Sequence, residues 1–505
     1  MQSYNTTRTE LFLKANERVL LFAICVIAIA RVFLFSAAFP FFNNVDELAH
    51  FDTVVKYSHG WLPRLDSINY DRESAEFIAP YASPEYLSQA QEFIPSPLWH
   101  FRDDPVYDVV VGQRVVEWVA IQNHEALSPP IYYALAGVWY DIGKFLRMSG
   151  AHLLYWVRFL NIPLYAVLLW FTYLLCRHTF ADDPASRISA VFLVAVFPQD
   201  VFYSINSDVL SPVFCLISFY CITQILRREQ PAWFYLSAGS GIAAAFLVKF
   251  SNLPVLLVLF FLMFTHIKRL LREDKLQKQV PNLTLLALSA AMPIVWWLGR
   301  NSIVLHDITG TAGKILHLGW KVKPFSEMLQ HPLFTLPGLT HFISELVRTF
   351  WRGEFVWRLK LIALPVADNI YIATSCAFIA LSFFWTLTQK GNDEQASRQI
   401  IGTSLFMLVL SVLLLAILSI MYDFGACWYP SRSQPYFTSG RLILGALIPF
   451  VILYVNGVRY LLIRFQRKYF LIAVMLIGLV TLVSEIVATS QVFYSDYNWF
   501  HLFSQ

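Results

Sequence analysis

The sequence predicts an all-α integral membrane protein with about eleven transmembrane helices and two large polar loops on the non-cytoplasmic side. Of its 505 residues, 57% are hydrophobic and only 14% are charged, whereas soluble domains carry about 25% charged residues. The apolar residues also occur in blocks of roughly 20, the length that a helix needs to cross a bilayer. These blocks lack the residue-by-residue alternation of a transmembrane β-barrel. Composition therefore excludes an ordinary soluble enzyme.

The predicted spans follow from the apolar blocks. They are 19–40, 153–176, 187–204, 209–226, 233–250, 253–268, 281–303, 364–388, 400–422, 441–463 and 469–490. The first resembles a secretory signal, because Lys14 and Arg18 precede it and Ser36-Ala37-Ala38 resembles a cleavage site. Its apolar run is longer than that of a usual signal peptide, so we expect an uncleaved anchor.

Lysine and arginine fall in every second loop, which predicts the orientation. They cluster before span one and after spans two, four, six, eight and ten, and the densest stretch is 268–278. Cytoplasmic loops carry such an excess, so we expect the N-terminus inside and the loops 41–152, 304–363 and 423–440 outside, with the tail from 491. The predicted location is a cell membrane, that of a bacterium, crossed many times.

The segment 130–146 is apolar enough for a further span, but it contains Asp141. Counting it as a span would invert every later loop and place the basic clusters outside. We therefore interpret it as an interfacial helix on the outer surface. No internal repeat stands out, so we expect residues 1–505 to form one membrane domain with 41–152 and 304–363 as elaborated outer loops. The six cysteines show neither a disulfide framework nor the spacing of zinc ligands.

Two adjacent carboxylates follow the first span directly, in the sequence Asp46-Glu47-Leu-Ala-His50. Charge at a membrane boundary is costly unless it is paired or functional. A helix that begins here places Asp46 and His50 on one face. The acidic pair then either stabilises the helix N-terminus or supplies a general base to a lipid-borne substrate. As a further alternative, Asp46 and His50 are metal ligands.

Three outer cations oppose the positive-inside rule. Lys249 lies near the end of span five, Arg300 at the end of span seven and Arg441 at the start of span ten. Each either snorkels to the lipid head groups or faces a phosphate, for which lysine and arginine are good partners. Asp208 ends the polar segment Asn206-Ser207-Asp208, which follows span three. This segment is either part of the site or an ordinary loop. Tyr132, in a Pro-Pro-Ile-Tyr-Tyr motif, suits the membrane interface.

In their order along the chain, these motifs resemble those of the type C (GT-C) superfamily of membrane glycosyltransferases. The chain is most similar to the bacterial relatives of protein mannosyltransferases and aminoarabinose transferases, including uncharacterised members. The motifs are Asp46-Glu47, Pro129-Pro130-Ile131-Tyr132-Tyr133, Asn206-Ser207-Asp208, Leu247-Val248-Lys249, Trp296-Trp297-Leu298-Gly299-Arg300-Asn301, Phe350-Trp351 through Trp357, and Gly440-Arg441. Together they span most of the chain. Ser128 stands where the family often has His or Gln, and Leu442 where it often has Tyr.

The resemblance implies transfer of a sugar from a polyprenyl-phosphate-linked donor to an acceptor on the outer face of the membrane, with inversion. It implies Asp46 as the catalytic base with Glu47 beside it, and Lys249 and Arg441 as a clamp on the lipid phosphate. The other candidate substrate-binding residues are Arg300, His50, Asp208 and Tyr132. A lipid phosphate clamped by cations is already a stable leaving group, so strong acid catalysis is unnecessary. We expect no metal and no other cofactor, because a donor lipid with a single phosphate does not require a metal. The expected partners are the donor, membrane lipids and an acceptor that the sequence leaves open, and no nucleic acid.

The competing prediction is a membrane transporter or lipid flippase without transferase activity. Such proteins often show internal repeats and helices broken at mid-membrane. Here the unusual polar residues gather at the outer interface instead, and most of the polar sequence lies in two outer loops. This distribution favours chemistry at the membrane surface.

Overall fold

The computed structural model describes residues 8–42, 46–388, 395–426, 430–462 and 467–503. Helices make up most of these ranges, and the strands within them form two antiparallel pairs of two residues per strand. The predicted all-α fold class is confirmed.

The helices follow one another along the chain with connections of very different lengths. They are α1 (Arg8–Ala38), α2 (Glu47–Ser58), α3 (Arg72–Tyr81), α4 (Pro105–Val119), α5 (Ile131–Phe145), α6 (Gly150–Phe159), α7 (Asn161–Thr179), α8 (Pro184–Ala195), α9 (Leu210–Arg227), α10 (Ala232–Val248), α11 (Leu253–Arg272), α12 (Leu276–Val304), α13 (Ala312–His317), α14 (Phe325–Met328), α15 (Leu336–Arg352), α16 (Pro365–Thr388), α17 (Gln395–Met421), α18 (Leu447–Leu462) and α19 (Arg467–Thr489). The strands are β1 (Lys321–Val322), β2 (Val356–Trp357), β3 (Lys360–Leu361) and β4 (Tyr422–Asp423).

Each of the eleven predicted spans has a helical counterpart. Within the described ranges, nine helical segments are long and apolar enough to cross a membrane. The other two counterparts are the apolar helices α8, of 12 residues, and α10, of 17 residues. The count of eleven is therefore approximate.

The predicted span 187–204 is too long. Helix α8 begins at Pro184, where the Asp183 side chain accepts a hydrogen bond from the Ser186 amide at 3.2 Å, and it ends at Ala195. Pro198 follows shortly after, and proline neither continues a helix nor leaves its predecessor in helical backbone. The chain then passes through a short 3₁₀ turn at Asp200–Tyr203.

The segment 130–146, predicted as an interfacial helix, forms α5 with 15 residues. It is shorter than the roughly 20 residues that a crossing helix needs. One of its faces packs against α2 and buries Tyr132, Tyr133 and Tyr140. The same hydrophobic core includes residues of the first loop and of the long helices, so this loop is built onto the bundle.

The loops 41–152, 304–363 and 423–440 contact one another. β1 pairs with β4, and the Arg358 amide donates to the Glu85 carbonyl at 3.1 Å. Among residues predicted on the cytoplasmic side, Arg187 of α8 pairs with Glu17 of α1 at 2.7 Å, and Lys278 of α12 pairs with Glu229 at 3.0 Å. The side of the membrane on which each group lies stays a prediction.

Candidate active site

Asp46 lies in a polar cluster where the loops 41–152 and 304–363 meet the segment that begins at Gly440. It is the N-cap residue of α2 and has left-handed backbone, with φ of 66°. Such a backbone is uncommon outside glycine and concentrates at functional sites. Its carboxylate accepts a hydrogen bond from Arg441 Nη2 at 2.8 Å and lies 3.1 Å from His124 Nε2. The side chain is 22% exposed, so it is within reach of a substrate.

Arg441 connects three of the acidic groups in this cluster. Besides Asp46, its guanidinium lies 3.5 Å from Glu354 and 3.7 Å from Asp208. Gly440 sets this position, because any side chain there would collide with the Phe350 backbone at the end of α15. The close approach of the two chain segments therefore brings Arg441 beside Glu354.

Asp208 and Lys249 form an ion pair of 2.5 Å between the start of α9 and the end of α10. Asp208 is fully buried, and its amide donates to the Asn206 side chain at 2.9 Å. Lys249 is 23% exposed. The polar segment around Asp208 is therefore not an exposed loop, and Lys249 has a carboxylate partner instead of only reaching towards head groups.

Sequence reasoning missed the other side of the cluster. Glu125, 7% exposed, forms an ion pair with Lys314 of α13 and accepts a hydrogen bond from Ser128. His124 stacks on His317 of α13 with ring centroids 6.0 Å apart. The available signal was a His-Glu dipeptide just before the Ser-Pro-Pro motif. Lys314 gave none, since a lysine in a polar loop is ordinary.

Glu354 was also missed as a site residue, although it lies within the predicted aromatic motif. Its carboxylate accepts a hydrogen bond from the Ser439 hydroxyl at 2.8 Å. Gly353 turns the chain here with φ of 80°, and any side chain at that position would collide with Asp200. The Glu354 amide in turn donates to the Asp200 carboxylate at 2.9 Å.

His50 approaches the same cluster from the first turns of α2. Its Nδ1 lies 2.8 Å from the Tyr133 hydroxyl, and only 1% of the residue is exposed. One potential ligand atom from each of Asp46, His50 and Glu125 lies within 4.8 Å of the others. Imidazole and carboxylate are suitable ligands for divalent metals, so these three residues can in principle hold an ion.

The charges of the cluster shift the protonation of its members. Burial raises the pKa of Asp46, but Arg441, the hydrogen bond from His124 and Lys314 together hold it well below its usual range. Burial lowers the pKa of His50 to about 4. Burial also lowers the pKa of Lys314, yet Glu125 and Asp46 raise it overall. Near neutral pH the site therefore contains an ionised Asp46, a neutral His50 and a charged Lys314.

Three predicted site residues lie outside this cluster. Glu47 points into the core, where Arg158 binds it with an ion pair of 2.8 Å and the Phe42 and Ile205 amides also donate to it. Glu47 is 1% exposed, and its carboxylate is fully used in joining α2 to α6. The assignment of Glu47 as a catalytic residue is therefore corrected: its carboxylate holds the start of α2 in place.

Arg300 and Tyr132 also have structural contacts. The Arg300 guanidinium donates to the Pro63 carbonyl and lies 5.5 Å from the Trp297 ring centroid, so it fastens α12 to the first loop. Tyr132 is fully buried and packs edge-on against Tyr133 at 5.5 Å. Of the predicted residues, Asp46, His50, Asp208, Lys249 and Arg441 are the ones that converge.

Two solved structures from Archaeoglobus fulgidus are similar to this chain over most of its length. One is an oligosaccharyltransferase in complex with Zn and sulfate, with 13% identity, a TM-score of 0.42 and coverage of 93% of this chain and 53% of that chain. The other is the archaeal oligosaccharyltransferase AglB with an inhibitory peptide and a dolichol-phosphate, with 13% identity, a TM-score of 0.42 and coverage of 95% and 56%. The chain thus spans about half the length of these structures, and its activity has to be argued from its own residues.

The sequence comparisons are more decisive about the family than about the activity. No curated protein sequence matches the chain at a significant level. Residues 30–426 match a family model described as Predicted membrane protein (DUF2142). Because the match takes in well over half of the 505 residues, the protein belongs to the DUF2142 family of predicted membrane proteins.

Proposed function

We propose that this protein is a GT-C-like glycosyltransferase that moves a sugar from a polyprenyl-phosphate-linked donor to an acceptor at the outer face of the membrane. The observation that carries the proposal is the 2.8 Å contact between Arg441 and Asp46 at the meeting point of the outer loops. Arginine is a strong phosphate ligand, and Asp46 is the proposed base. Their contact supports the proposal, because a displacement at a glycosyl phosphate needs both groups close together.

The cations of the cluster suit the leaving group. Lys249, Lys314 and Arg441 come from three different parts of the chain and are each only partly exposed. Cations fixed in a partly dry site stabilise developing negative charge more strongly than cations in water. A lipid phosphate held by them leaves as a stable anion, so no strong general acid is required.

Asp46 is the proposed base for the acceptor hydroxyl or amine. While Arg441 pairs with it, its low pKa makes it ionised but only weakly basic. A donor phosphate that binds Arg441 competes for the same guanidinium and weakens this pairing. The pKa of Asp46 then rises, and the carboxylate becomes a better base when the donor is present.

We propose that this reaction requires no divalent metal. The carboxylates of Asp46 and Glu125 already face Arg441 and Lys314, which supply the positive charge that a metal would bring. A metal at Asp46, His50 and Glu125 would have to share its carboxylate ligands with these cations.

The test is sugar transfer by the purified protein in nanodiscs, with polyprenyl-phosphate sugars as donors and membrane extracts as the acceptor source. Asp46→Asn keeps the size of the side chain but removes its basicity, so turnover should fall roughly 10²–10⁴-fold. Asp141→Asn, a change at an exposed carboxylate on α5, is the matched control and should leave turnover unchanged. Turnover at the wild-type level in Asp46→Asn would remove the base assignment. Lipid transport without sugar transfer would instead establish the flippase alternative.

A further inference from the structure

A second polar pocket lies in the first loop, at the C-terminal end of α2. It has a volume of about 540 Å³, and Lys56, Trp61, Arg64, Asn69, Tyr70 and Asp71 are among its lining residues. The polar cluster around Asp46 lies at the N-terminal end of the same helix. We call this cavity the α2 pocket.

The aromatic residues of the α2 pocket are held in fixed positions. The Trp61 indole nitrogen donates to the Ser67 hydroxyl at 2.9 Å, and its ring remains partly exposed. Tyr70 is buried beside it and packs on Trp118 with ring centroids 5.2 Å apart. A partly exposed ring with a fixed orientation offers an apolar platform whose edge is polar.

Three cations, Lys56, Arg64 and Arg72, and the carboxylate of Asp71 line the α2 pocket, and carboxylates beside the pocket compensate two of the cations. Lys56 pairs with the buried Asp52 at 2.7 Å, and Arg72 pairs with Glu76 at 3.1 Å. Arg64 is exposed and forms no ion pair within the described residues. Such a lining offers donors and acceptors in several directions without a strong net charge. It suits a ligand rich in hydroxyl groups better than a phosphate.

Two segments of the chain connect the α2 pocket to the polar cluster around Asp46. Along α2, Lys56 follows the N-cap residue Asp46 by ten positions, which at a rise of 1.5 Å per residue is about 15 Å. Along the other segment, Asn69 pairs with Gln122 in a β-bridge, and Asn123 then donates to the Asp52 carboxylate at 2.6 Å. Two residues further on, the chain reaches Glu125 in the cluster.

We propose that the α2 pocket binds a sugar unit of the acceptor, so that the acceptor is an oligosaccharide or longer glycan lying along α2 with its reacting end at Asp46. This inference rests on the proposed function for the meaning of "acceptor", but the binding itself does not depend on Asp46 acting as a base. A single sugar or a small lipid acceptor would not reach from one site to the other.

The experiment measures glycan binding without turnover. The protein in nanodiscs is applied to an array of defined bacterial surface oligosaccharides, with protein-free nanodiscs as the blank, and the best-bound oligosaccharide is then titrated in solution. Trp61→Ala should weaken its affinity at least tenfold, equal to about 1.4 kcal/mol, while Trp61→Phe should retain most of it. Trp233→Ala, a change at an exposed tryptophan at the start of α10, is the matched control and should have no effect.

Four outcomes decide the inference. Trp61-dependent binding that persists in Asp46→Asn supports the α2 pocket even if Asp46 proves not to be the base. Oligosaccharide binding that is equal in wild-type protein and Trp61→Ala, or no binding to any member of the array, overturns the inference. Displacement of the bound oligosaccharide by inorganic phosphate would overturn it as well, because the cavity would then be a phosphate or lipid head-group site. The thermal stability of each variant shows whether a loss of binding reflects a loss of folding.

Discussion

The pair formed by Lys249 and Asp208 allows the structural and the functional role of a charge to be separated. Asp208 is fully buried, and Lys249 is its partner at 2.5 Å, whereas Arg441 lies 3.7 Å away. Lys249→Ala therefore leaves a buried carboxylate with a weaker partner. Breaking a buried ion pair by removing one member costs about 3–5 kcal/mol. We expect the lower end of this range, since Lys249 is partly exposed and Arg441 remains close.

The double variant Lys249→Ala/Asp208→Asn should behave differently in two measurements. An amide at position 208 needs no counter-charge, so most of the stability lost in Lys249→Ala should return. Affinity for the donor phosphate should stay low, because the ammonium group is still missing. A charge-assisted contact contributes about 1.5–3 kcal/mol, which corresponds to affinity weaker by roughly 10- to 150-fold.

The assay combines thermal unfolding of the protein in nanodiscs with binding of sugar-free polyprenyl phosphate by thermophoresis. Lys249→Arg is the matched control, since it keeps the charge, and it should retain part of the affinity. If the double variant binds polyprenyl phosphate as tightly as the wild-type protein, Lys249 is only the structural partner of Asp208. The phosphate clamp would then have to be reassigned to Arg441 and Lys314.

Three further predictions test the orientation, the base and the role of metals. Single cysteines at the exposed positions 103 and 275 of a cysteine-free protein should react differently with an impermeant reagent in intact cells, and labelling at 275 but not at 103 would invert the proposed topology. Because Arg441 and His124 lower the pKa of Asp46, the acid limb of kcat/KM, which reports the free protein, should lie below about pH 4. The acid limb of kcat should lie at higher pH once the donor occupies Arg441, and coinciding limbs would contradict donor-induced release of Asp46. Turnover should survive treatment with EDTA, and a loss that Mn²⁺ or Mg²⁺ restores would make Asp46, His50 and Glu125 the metal site.

Sequence reasoning identified those residues of the polar cluster whose charge is costly at their position in the chain. Lys249 and Arg441 oppose the positive-inside rule, and Asp46 follows the first predicted span directly, so each stood out against its surroundings. His124, Glu125, Lys314 and Glu354 lie in polar loops where such residues are common. They become site residues only through the packing of one loop on another.

The two adjacent carboxylates show the limit of the sequence most clearly. Asp46 and Glu47 are neighbours and have the same chemistry, and the resemblance placed both in the active site. The left-handed backbone of Asp46 directs its side chain towards Arg441, while Glu47 begins the helix and faces Arg158 in the core. A single backbone turn thus gives the two carboxylates different surroundings.

The sequence by itself determined that this is a helical membrane protein and where along the chain its apolar helices lie. These properties follow from the length, hydrophobicity and charge of local segments, which the bilayer selects independently of distant contacts. Tertiary structure alone decided that Lys314 pairs with Glu125 across 189 positions and that Arg441 pairs with Asp46 across 395. Such partners are set by how helix ends and loops pack together, and no local pattern in the chain records that packing.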